Sequence, residues 1–315
     1  MKCLISKSTP EFSITQFSKF FDVIKFDPTN LDYNFTTTDH FVILDSADNI
    51  DPWQDRGFKV IVLHVWDQLL DNTNRVYIEN NCLHLRPKNW IWMHFSFAWK
   101  IRNYDHIRPP TSPDHFFLLL MNLKRDHRDQ LFDITKPYHD ISLYSYVERG
   151  YYIKDDVPAT GTPFQVGFQV GTSDQSFYNP AWYAQTAFSI VAESAVTQQR
   201  FISEKIFKPL AFQHALVVHG TPGTLQYLHE LGFETFDHVI DEGYDKELDH
   251  SLRLQLIQSV LKNLCQEYST GQPLFTDIVS QQKIQHNYHN FYNVNKLDQM
   301  WITEISNPIK EFLNA

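Results

Sequence analysis

Apolar positions along the chain follow two alternating patterns. The unbroken runs 40–46 (HFVILDS) and 58–66 (FKVIVLHVW) do not alternate with polar residues, which predicts strands buried on both faces, as in a parallel sheet. Residues 13–24 carry apolar side chains at helical spacing and predict a crossover helix. In 89–101 the aromatic residues are so dense that periodicity does not decide between helix and strand. These patterns predict an α/β sheet.

The same alternation resumes after a proline-rich connector at 107–115 (IRPPTSPDH). Proline fixes its own φ and disfavours helix in the residue before it, so we place a domain boundary here, between domains 1–108 and 109–315. Predicted strands follow at 116–122, 140–146, 186–194 and 215–220, and predicted helices begin near 125 and span 223–233, 245–268, 275–292 and 296–313. This order predicts two Rossmann-like domains that face each other, with helices closing the second.

Composition narrows the class of protein. The 315 residues are 43% hydrophobic and 15% aromatic, which indicates sizeable packed cores, and the formal charge of −10 disfavours tight nonspecific binding to nucleic acid or anionic lipid. Three cysteines without a CxxC pair disfavour a disulfide framework and indicate a reducing compartment. The N-terminus lacks a signal-peptide core and no apolar run is long enough to span a membrane. We therefore expect a cytoplasmic protein, in its own cell or in an infected host.

Charged residues open the apolar segment 201–220 (FISEKIFKPLAFQHALVVHG). Ser203 is a typical helix N-cap, which places Glu204 and Lys205 in the first turn of a helix that Pro209 should bend. The preceding strand ends in Glu193 and Ser194. Carboxyl ends of parallel strands and N-termini of the following helices meet at one edge of a sheet, so we expect these side chains to share a rim.

The residue types on this rim suit a nucleotide sugar. A carboxylate accepts hydrogen bonds from both ribose hydroxyls, while lysine and unpaired helix N–H groups stabilise a diphosphate. The alternative is that Glu204 only complements the helix dipole and that Lys205 and Lys208 only form a solvated face. A proline within the helix, directly behind its charged opening, favours a binding role.

Two motifs at this rim resemble fucosyltransferase-like glycosyltransferases. That family has a strand ending in Phe-Glu-Asn-Ser, then a few variable residues, then Tyr-Val-Thr-Glu-Lys before a further apolar strand. Here the corresponding segments are IVAES at 190–194 and FISEK at 201–205, followed by the strand at 215–220. The match is closer to viral and bacterial members than to animal enzymes. It lies within the C-terminal domain, lacks the Asn between Glu and Ser, and has one extra residue between the motifs.

This resemblance implies a GT-B-like fold and a hexosyl- or pentosyltransferase that uses a donor such as a GDP- or UDP-sugar and a glycan acceptor. Glu204 would bind the ribose and Lys205 the diphosphate, and Glu193 with Ser194 would shape the sugar or ribose pocket. An arginine after the first strand of the donor domain would also contact the diphosphate. Arg125 and Arg128 both fit that position, and we prefer Arg128 because it falls in the first turn of a helix.

The catalytic base is expected in the N-terminal domain, at a strand end. Transfer with inversion needs a carboxylate or histidine that takes the proton of the acceptor hydroxyl. Asp67 directly follows the longer apolar run and is our first choice, ahead of Asp45, His64 and His94. For either aspartate the alternative is a helix N-cap, which is what Asp most often does after a strand.

Motifs that hold a catalytic metal are missing from the sequence. No two aspartates stand two apart, and neither HExxH nor GxxxxGK[ST] occurs. The two histidines three apart in 286–292 (HNYHNFY) fit a helix surface better than a metal site. We therefore expect no metal cofactor, with Lys205, an arginine and backbone N–H groups supplying the positive charge that a leaving diphosphate needs.

Two other functions remain open at this point. The acceptor is a hydroxymethylated DNA base in some phage transferases, although the acidic net charge disfavours DNA here; binding that weakens steeply with salt would support it. The chain could also be a nucleotide- or glycan-binding module without activity. Slow release of nucleoside diphosphate from a nucleotide sugar would count against such a module.

Overall fold

Two parallel sheets organise the chain, one in each of two units. The computed structural model describes residues 2–6, 17–19, 21–29, 35, 37, 40–45, 51–56, 58–63, 75–79, 82–86, 113–151, 153, 179–197 and 201–315. Contacts divide the chain into a first unit of Met1–Trp99 with Asn293–Ala315 and a second unit of Lys100–Tyr292. The predicted boundary at 108/109 lies outside the described residues. The segment 293–315, which we expected in the second domain, packs with the first unit.

In the described part of the chain the strands are β1 (Lys2–Ser6), β2 (Val23–Phe26), β3 (His40–Asp45), β4 (Val60–Leu63), β5 (Arg75–Glu79), β6 (Cys82–Arg86), β7 (His115–Met121), β8 (Leu143–Tyr146), β9 (Thr186–Ala192) and β10 (Ala215–His219). The α-helices there are α1 (Asp51–Asp55), α2 (Asp126–Thr135), α3 (Pro180–Gln185), α4 (Glu204–Ala211), α5 (Thr224–Glu230), α6 (His250–Ser269), α7 (Ile278–Phe291), α8 (Val294–Trp301) and α9 (Asn307–Asn314). Short 3₁₀ segments occupy Lys136–Ile141, Val147–Arg149 and Glu242–Lys246, and a π-helical segment occupies Ile302–Ser306.

The first unit contains a six-stranded sheet in the order β2-β1-β3-β4-β6-β5. All of its pairings are parallel except the hairpin of β5 with β6 at one edge. One face packs around Trp53 of α1, whose ring makes edge-on contacts with Phe26 and Phe58. The predicted strands over 40–46 and 58–66 are confirmed where the structure describes them, as β3 (His40–Asp45) and β4 (Val60–Leu63), whereas residues 46 and 64–66 and the segment 89–101 lie outside the described residues.

The predicted helix over 13–24 extends too far. Residues 13–16 lie outside the described residues, Phe17 is helical, and Val23 and Ile24 already belong to β2. Val23 and Ile24 pair in register with Cys3 and Leu4 of β1, and this pairing overrides the helical spacing of the apolar residues. The pairing with β1 therefore makes Val23 and Ile24 a strand, and no local sequence pattern shows this pairing.

The second unit contains a four-stranded, fully parallel sheet in the order β10-β9-β7-β8. Every residue of β9 and β10 is buried, as expected of strands covered on both faces. The chain runs from β7 to β8 on one side and returns to β9 on the other side of β7. Ligands of open α/β sheets bind where the strand order reverses in this way, at the carboxyl ends of the strands. Here that point lies between Met121 and Ala192.

Two helices behind this sheet carry the local signals that shape the site. Helix α4 begins after Ser203, whose hydroxyl accepts a hydrogen bond from the backbone N–H of Lys205 at 3.3 Å. The predicted helix start, the cap and the position of Pro209 within the helix are confirmed. In α6, the four-residue steps from Leu252 to Leu264 drift around a helix of 3.6 residues per turn, so Leu252 is exposed, Leu256 is half-buried, and Val260 and Leu264 are buried.

Candidate functional site

Arginines follow β7 at the point where the strand order reverses. Arg125 precedes the first residue of α2, and Arg128 lies in its first turn, the positions that the sequence predicts for them. Arg128 is only 3% exposed. One of its terminal nitrogens, Nη1, donates to the carbonyl of Leu123 at 2.9 Å, while its buried Nε has no hydrogen-bond partner in the described structure. A buried guanidinium with an unused donor is an unusual and costly feature in a protein interior.

Three cationic side chains converge on Ser194, just beyond β9. Arg125 Nη1 donates to the Ser194 carbonyl at 2.8 Å, and Arg128 Nη2 lies 3.4 Å from the Ser194 hydroxyl. Lys205 Nζ, which comes from α4, donates to the same hydroxyl at 3.2 Å. We call Arg125, Arg128 and Lys205 the cation cluster. Its members come from two separate helix starts and meet at one strand end.

The charges within the cluster affect one another. Burial lowers the pKa of Arg128, and the neighbouring Arg125 lowers it further, although Glu193 and Glu204 oppose this shift. The pKa of Glu204 is raised by burial, but the charges of Lys205 and Lys208 outweigh burial and hold it below its usual range. Glu204 is therefore ionised at neutral pH. Its carboxylate contacts Lys205 Nζ at 3.1 Å.

Glu193 lies beneath this rim and contacts no solvent. Its carboxylate accepts hydrogen bonds from the backbone N–H of Ser203 at 2.9 Å, from the Ser203 hydroxyl at 2.6 Å and from the backbone N–H of Ser194 at 3.2 Å. Its backbone N–H donates to the carbonyl of His219, which links the ends of β9 and β10. Glu193 thus ties the end of β9 to the start of α4.

Residues of β8 fix the loop that carries the arginines. The Tyr146 hydroxyl donates to Asp129 at 2.7 Å and accepts from the backbone N–H of Arg125 at 3.3 Å. Asp129 also pairs with Arg149 at 2.8 Å, and this pair lowers the pKa of Asp129 against the effect of its burial. The loop is therefore held by Tyr146, and through Tyr146 by Asp129 and Arg149, before any ligand binds. Prior ordering of this kind reduces the entropy cost of binding.

A second polar group lies beside the cluster, and the sequence did not predict it. His127 Nε2 donates to the carbonyl of Glu193 at 3.0 Å, and His219 Nε2 lies 3.1 Å from His250 Nε2. Burial lowers the pKa of all three histidines, and nearby arginines lower it further, so the rings are neutral at pH 7. Arg253 of α6 donates to the carbonyls of Val196 and Gly220 and thereby holds both neighbouring loops.

Two signals in the sequence point to these missed residues. His219 ends β10 at the same sheet edge as Ser194, so the strand-end rule that selected Glu193 also applies to it. Arg253 is a charged residue on the buried face of α6, one turn before Ile257. A charge inside an apolar helix face indicates a partner in the interior. The tertiary contacts that identify those partners are not visible in the sequence.

The six predicted binding residues lie together at one edge of the second sheet: Arg125, Arg128, Glu193, Ser194, Glu204 and Lys205. The structure brings them together, and their roles toward a ligand remain predictions. The proposed base Asp67 and the alternatives His64 and His94 lie outside the described residues. Asp45 is the last residue of β3, at the carboxyl end of that strand.

The described residues lack two features, a cluster of metal ligands and a membrane-spanning helix. They contain no group of three or more His, Cys, Asp or Glu side chains placed to hold a metal ion. His286 and His289 lie on α7, where His286 bonds the carbonyl of Gly232. None of the helices described there combines the length and apolar character needed to cross a bilayer.

The arrangement can bind an anion next to a group of hydroxyls. The cation cluster offers charged donors beside the first turns of α2 and α4, and Glu204 offers a charged acceptor at the same rim. Lys205 lies between the charged donors and the charged acceptor, because its Nζ contacts the Glu204 carboxylate and the Ser194 hydroxyl on which the cation cluster converges. A ligand with a diphosphate attached to a sugar carries the two complementary features.

Two solved crystal structures are similar to this chain. One is described as an alpha1,3-fucosyltransferase, with 10% identity and a TM-score of 0.44 over 95% of this chain and 91% of that one. The other is described as an alpha1,3-fucosyltransferase with GDP-fucose, with 10% identity and a TM-score of 0.41 over 93% and 90% of the two chains. The descriptions of both name a fucosyltransferase, the kind of enzyme that the sequence motifs resemble. No protein-family model and no curated protein matches the chain.

Proposed function

We propose that this chain is a glycosyltransferase that binds a nucleotide-sugar donor at the carboxyl edge of its second sheet. The observation that supports this most is the convergence of Arg125, Arg128 and Lys205 on Ser194 at the point where the strand order reverses. The donor's diphosphate binds this cluster, and Glu204 accepts hydrogen bonds from the ribose hydroxyls.

The cluster suits a diphosphate because its cations differ in freedom. Arg128 is buried and fixed by Leu123, so it supplies a charge that does not move. Lys205 keeps about a quarter of its side chain exposed, with 25% relative accessibility, and its Nζ can exchange the Glu204 carboxylate for a phosphate oxygen while it keeps both serine partners. Charge-assisted hydrogen bonds of this kind are about twice as strong as neutral ones.

In the reaction, the acceptor hydroxyl attacks the sugar carbon and the bond from that carbon to the diphosphate oxygen breaks. The bonding electrons leave with the nucleoside diphosphate, whose added negative charge the cation cluster stabilises. The proton of the acceptor hydroxyl goes to a base, for which the sequence gives Asp67 as the first choice. We propose a glycan or related hydroxyl as the acceptor and expect no metal requirement.

A thermal-shift panel of GDP, UDP, the matching nucleosides and their nucleotide sugars tests donor binding. A nucleoside diphosphate at about a hundred times its dissociation constant should stabilise the fold by roughly 2.7 kcal/mol, while the nucleoside alone should shift the melting temperature little. A panel in which no diphosphate raises the melting temperature would contradict the proposal. Release of nucleoside diphosphate from the stabilising nucleotide sugar then separates an enzyme from a binding module.

A further inference from the structure

Glu193 forms hydrogen bonds with both serines, Ser194 and Ser203, whose hydroxyls contact the Lys205 ammonium. Lys205 Nζ lies 3.2 Å from the Ser194 hydroxyl and 3.2 Å from the Ser203 hydroxyl. Glu193 in turn accepts the backbone N–H of Ser194, the backbone N–H of Ser203 and the Ser203 hydroxyl. Both serines that support Lys205 are therefore fixed by one buried carboxylate.

The 2.6 Å hydrogen bond from the Ser203 hydroxyl to the Glu193 carboxylate determines the direction of that hydroxyl. An ionised carboxylate only accepts hydrogen bonds, so the Ser203 proton must point at Glu193. The lone pairs of the same oxygen then face Lys205, where they accept from its backbone N–H at 3.3 Å and from its Nζ at 3.2 Å. Without the carboxylate, no acceptor fixes the Ser203 proton, and the hydroxyl loses the orientation in which its lone pairs face Lys205.

We propose that Glu193 is a positioning residue, which aims Lys205 at the donor diphosphate through Ser203 and Ser194 and does not itself contact the ligand. This inference rests on the proposed function, because it assigns a role within that same site. It agrees with the complete burial of Glu193, whose two carboxylate oxygens are already engaged by the protein. A carboxylate so engaged has little capacity left for a ribose.

The ionisation of Glu193 should make donor affinity depend on pH. This dependence would not occur if Glu193 only stabilised the fold. Burial raises its pKa, while the charge of Lys205 and the bonds from Ser203 lower it, and the net shift is upward. The ionised form therefore predominates only above this raised pKa. When pH falls through that pKa, the protonated carboxyl no longer orients Ser203, and donor affinity should fall. The other charged or titratable groups near Glu193 are Lys205 and Glu204 from α4, Arg128 and His127 from α2, and His219 from β10.

The test measures binding of GDP and UDP by calorimetry from pH 5 to pH 8 for the wild type and for Glu193→Gln. At pH 8 we expect the variant to bind about tenfold more weakly, because one charged hydrogen bond no longer orders the lysine. The ratio of the two affinities should approach one at low pH. Phosphate groups of the ligand titrate in this range as well, but they do so equally for both proteins and cancel in the ratio.

Combining Glu193→Gln with a substitution of Lys205 shows whether Glu193 acts on donor binding through Lys205. In a Lys205→Met background, Glu193→Gln should cause less than about a twofold further loss, because nothing is left to aim. Ser203→Ala should weaken binding about as much as Glu193→Gln, and Ser203→Thr, which keeps the hydroxyl, should restore most of the affinity. If Glu193→Gln fails to fold, the ratio of wild-type to Ser203→Ala affinity still decides the matter, because it should also approach one at low pH, whereas loss of the Ser203 helix cap alone would lower affinity equally at every pH.

The outcomes separate this inference from the proposed function. A wild type that binds neither GDP nor UDP overturns the proposed function and this inference with it. A wild type that binds, with unchanged affinity in Glu193→Gln and Ser203→Ala, overturns only the role of Glu193. The role of Glu193 would also be overturned if Glu193→Gln lowered affinity by the same factor with and without Lys205→Met, and if the ratio of wild-type to Glu193→Gln affinity did not change with pH.

Discussion

Lys205→Met removes the cation of the cluster that comes from α4, and it keeps a side chain of similar length. The backbone N–H of Lys205, which bonds Ser203 and begins α4, is unaffected by the change. The ion pair that is lost, Lys205 Nζ to Glu204 at 3.1 Å, is accessible to solvent on its lysine side. Glu204 is buried, however, so the loss of its nearest counter-charge should cost more than the about 0–1 kcal/mol of an exposed pair, and we expect the melting temperature to fall by several degrees without loss of the fold.

The effect on donor binding is measured separately from this loss of stability. Hydrogen bonds to charged groups are worth about 1.5–3 kcal/mol, and each 1.4 kcal/mol is a factor of ten, so affinity for a nucleoside diphosphate should fall roughly ten- to a hundredfold. Turnover should fall too, because the leaving diphosphate gains charge as the glycosidic bond breaks. Calorimetry with GDP and UDP measures the first effect, and release of diphosphate from the nucleotide sugar measures the second.

Lys208→Met is the matched control, because it removes the same charge from the same helix one turn later. A charge that makes no hydrogen bond to the ligand acts only through the Coulomb energy, which in water is below about 1 kcal/mol for unit charges more than 4 Å apart, so we expect at most about a threefold loss. Equal losses in the two variants would show a general field effect. Unchanged affinity in Lys205→Met would refute the assignment of the diphosphate to the cation cluster.

Three further predictions test other groups. Glu204→Ala should raise the Michaelis constant for the donor more than it lowers turnover, and should weaken discrimination between ribose and 2′-deoxyribose diphosphates; equal discrimination in the wild type would contradict a ribose contact. EDTA should leave transfer intact, because arginine and lysine supply the positive charge; activity lost to EDTA and restored by manganese would contradict this. Burial lowers the pKa of His214 to about 4, so the unfolded chain binds its proton first. The free energy of unfolding should therefore decrease as pH falls from 6.5 towards 4, and less steeply in His214→Gln.

Much of the second unit could be predicted from its sequence because its strands are buried on both faces. Continuous apolar runs at 116–122, 186–194 and 215–220 correspond to β7, β9 and β10. The rule that strand ends and helix starts share one edge then brought Glu193 and Lys205 together. Each of these inferences needs only local pattern and the general geometry of parallel sheets.

The parts that failed or stayed open depend on contacts between distant residues. Val23 and Ile24 left the predicted helix because they pair with β1, and 293–315 joins the first unit although a second domain precedes it. The direction of the Ser203 hydroxyl depends on a carboxylate ten positions earlier, and sequence spacing does not show that the two atoms lie 2.6 Å apart. Residue types were therefore predictable, whereas their hydrogen-bond partners were not.

The charge of the site also differs from the charge of the chain, and the difference bears on the chemistry. The formal net charge is −10, yet three cations meet at the rim, Arg125, Arg128 and Lys205, together with the carboxylates of Glu193 and Glu204. The first turn of α2 also carries Asp126 and Asp129, and Asp129 is paired with Arg149. The starts of α2 and α4 add partial positive charge at the same rim. A sugar diphosphate carries two negative charges and gains another as its sugar leaves. The cations of the rim therefore attract the departing diphosphate more strongly than the bound donor, which is the condition for binding energy to accelerate the reaction.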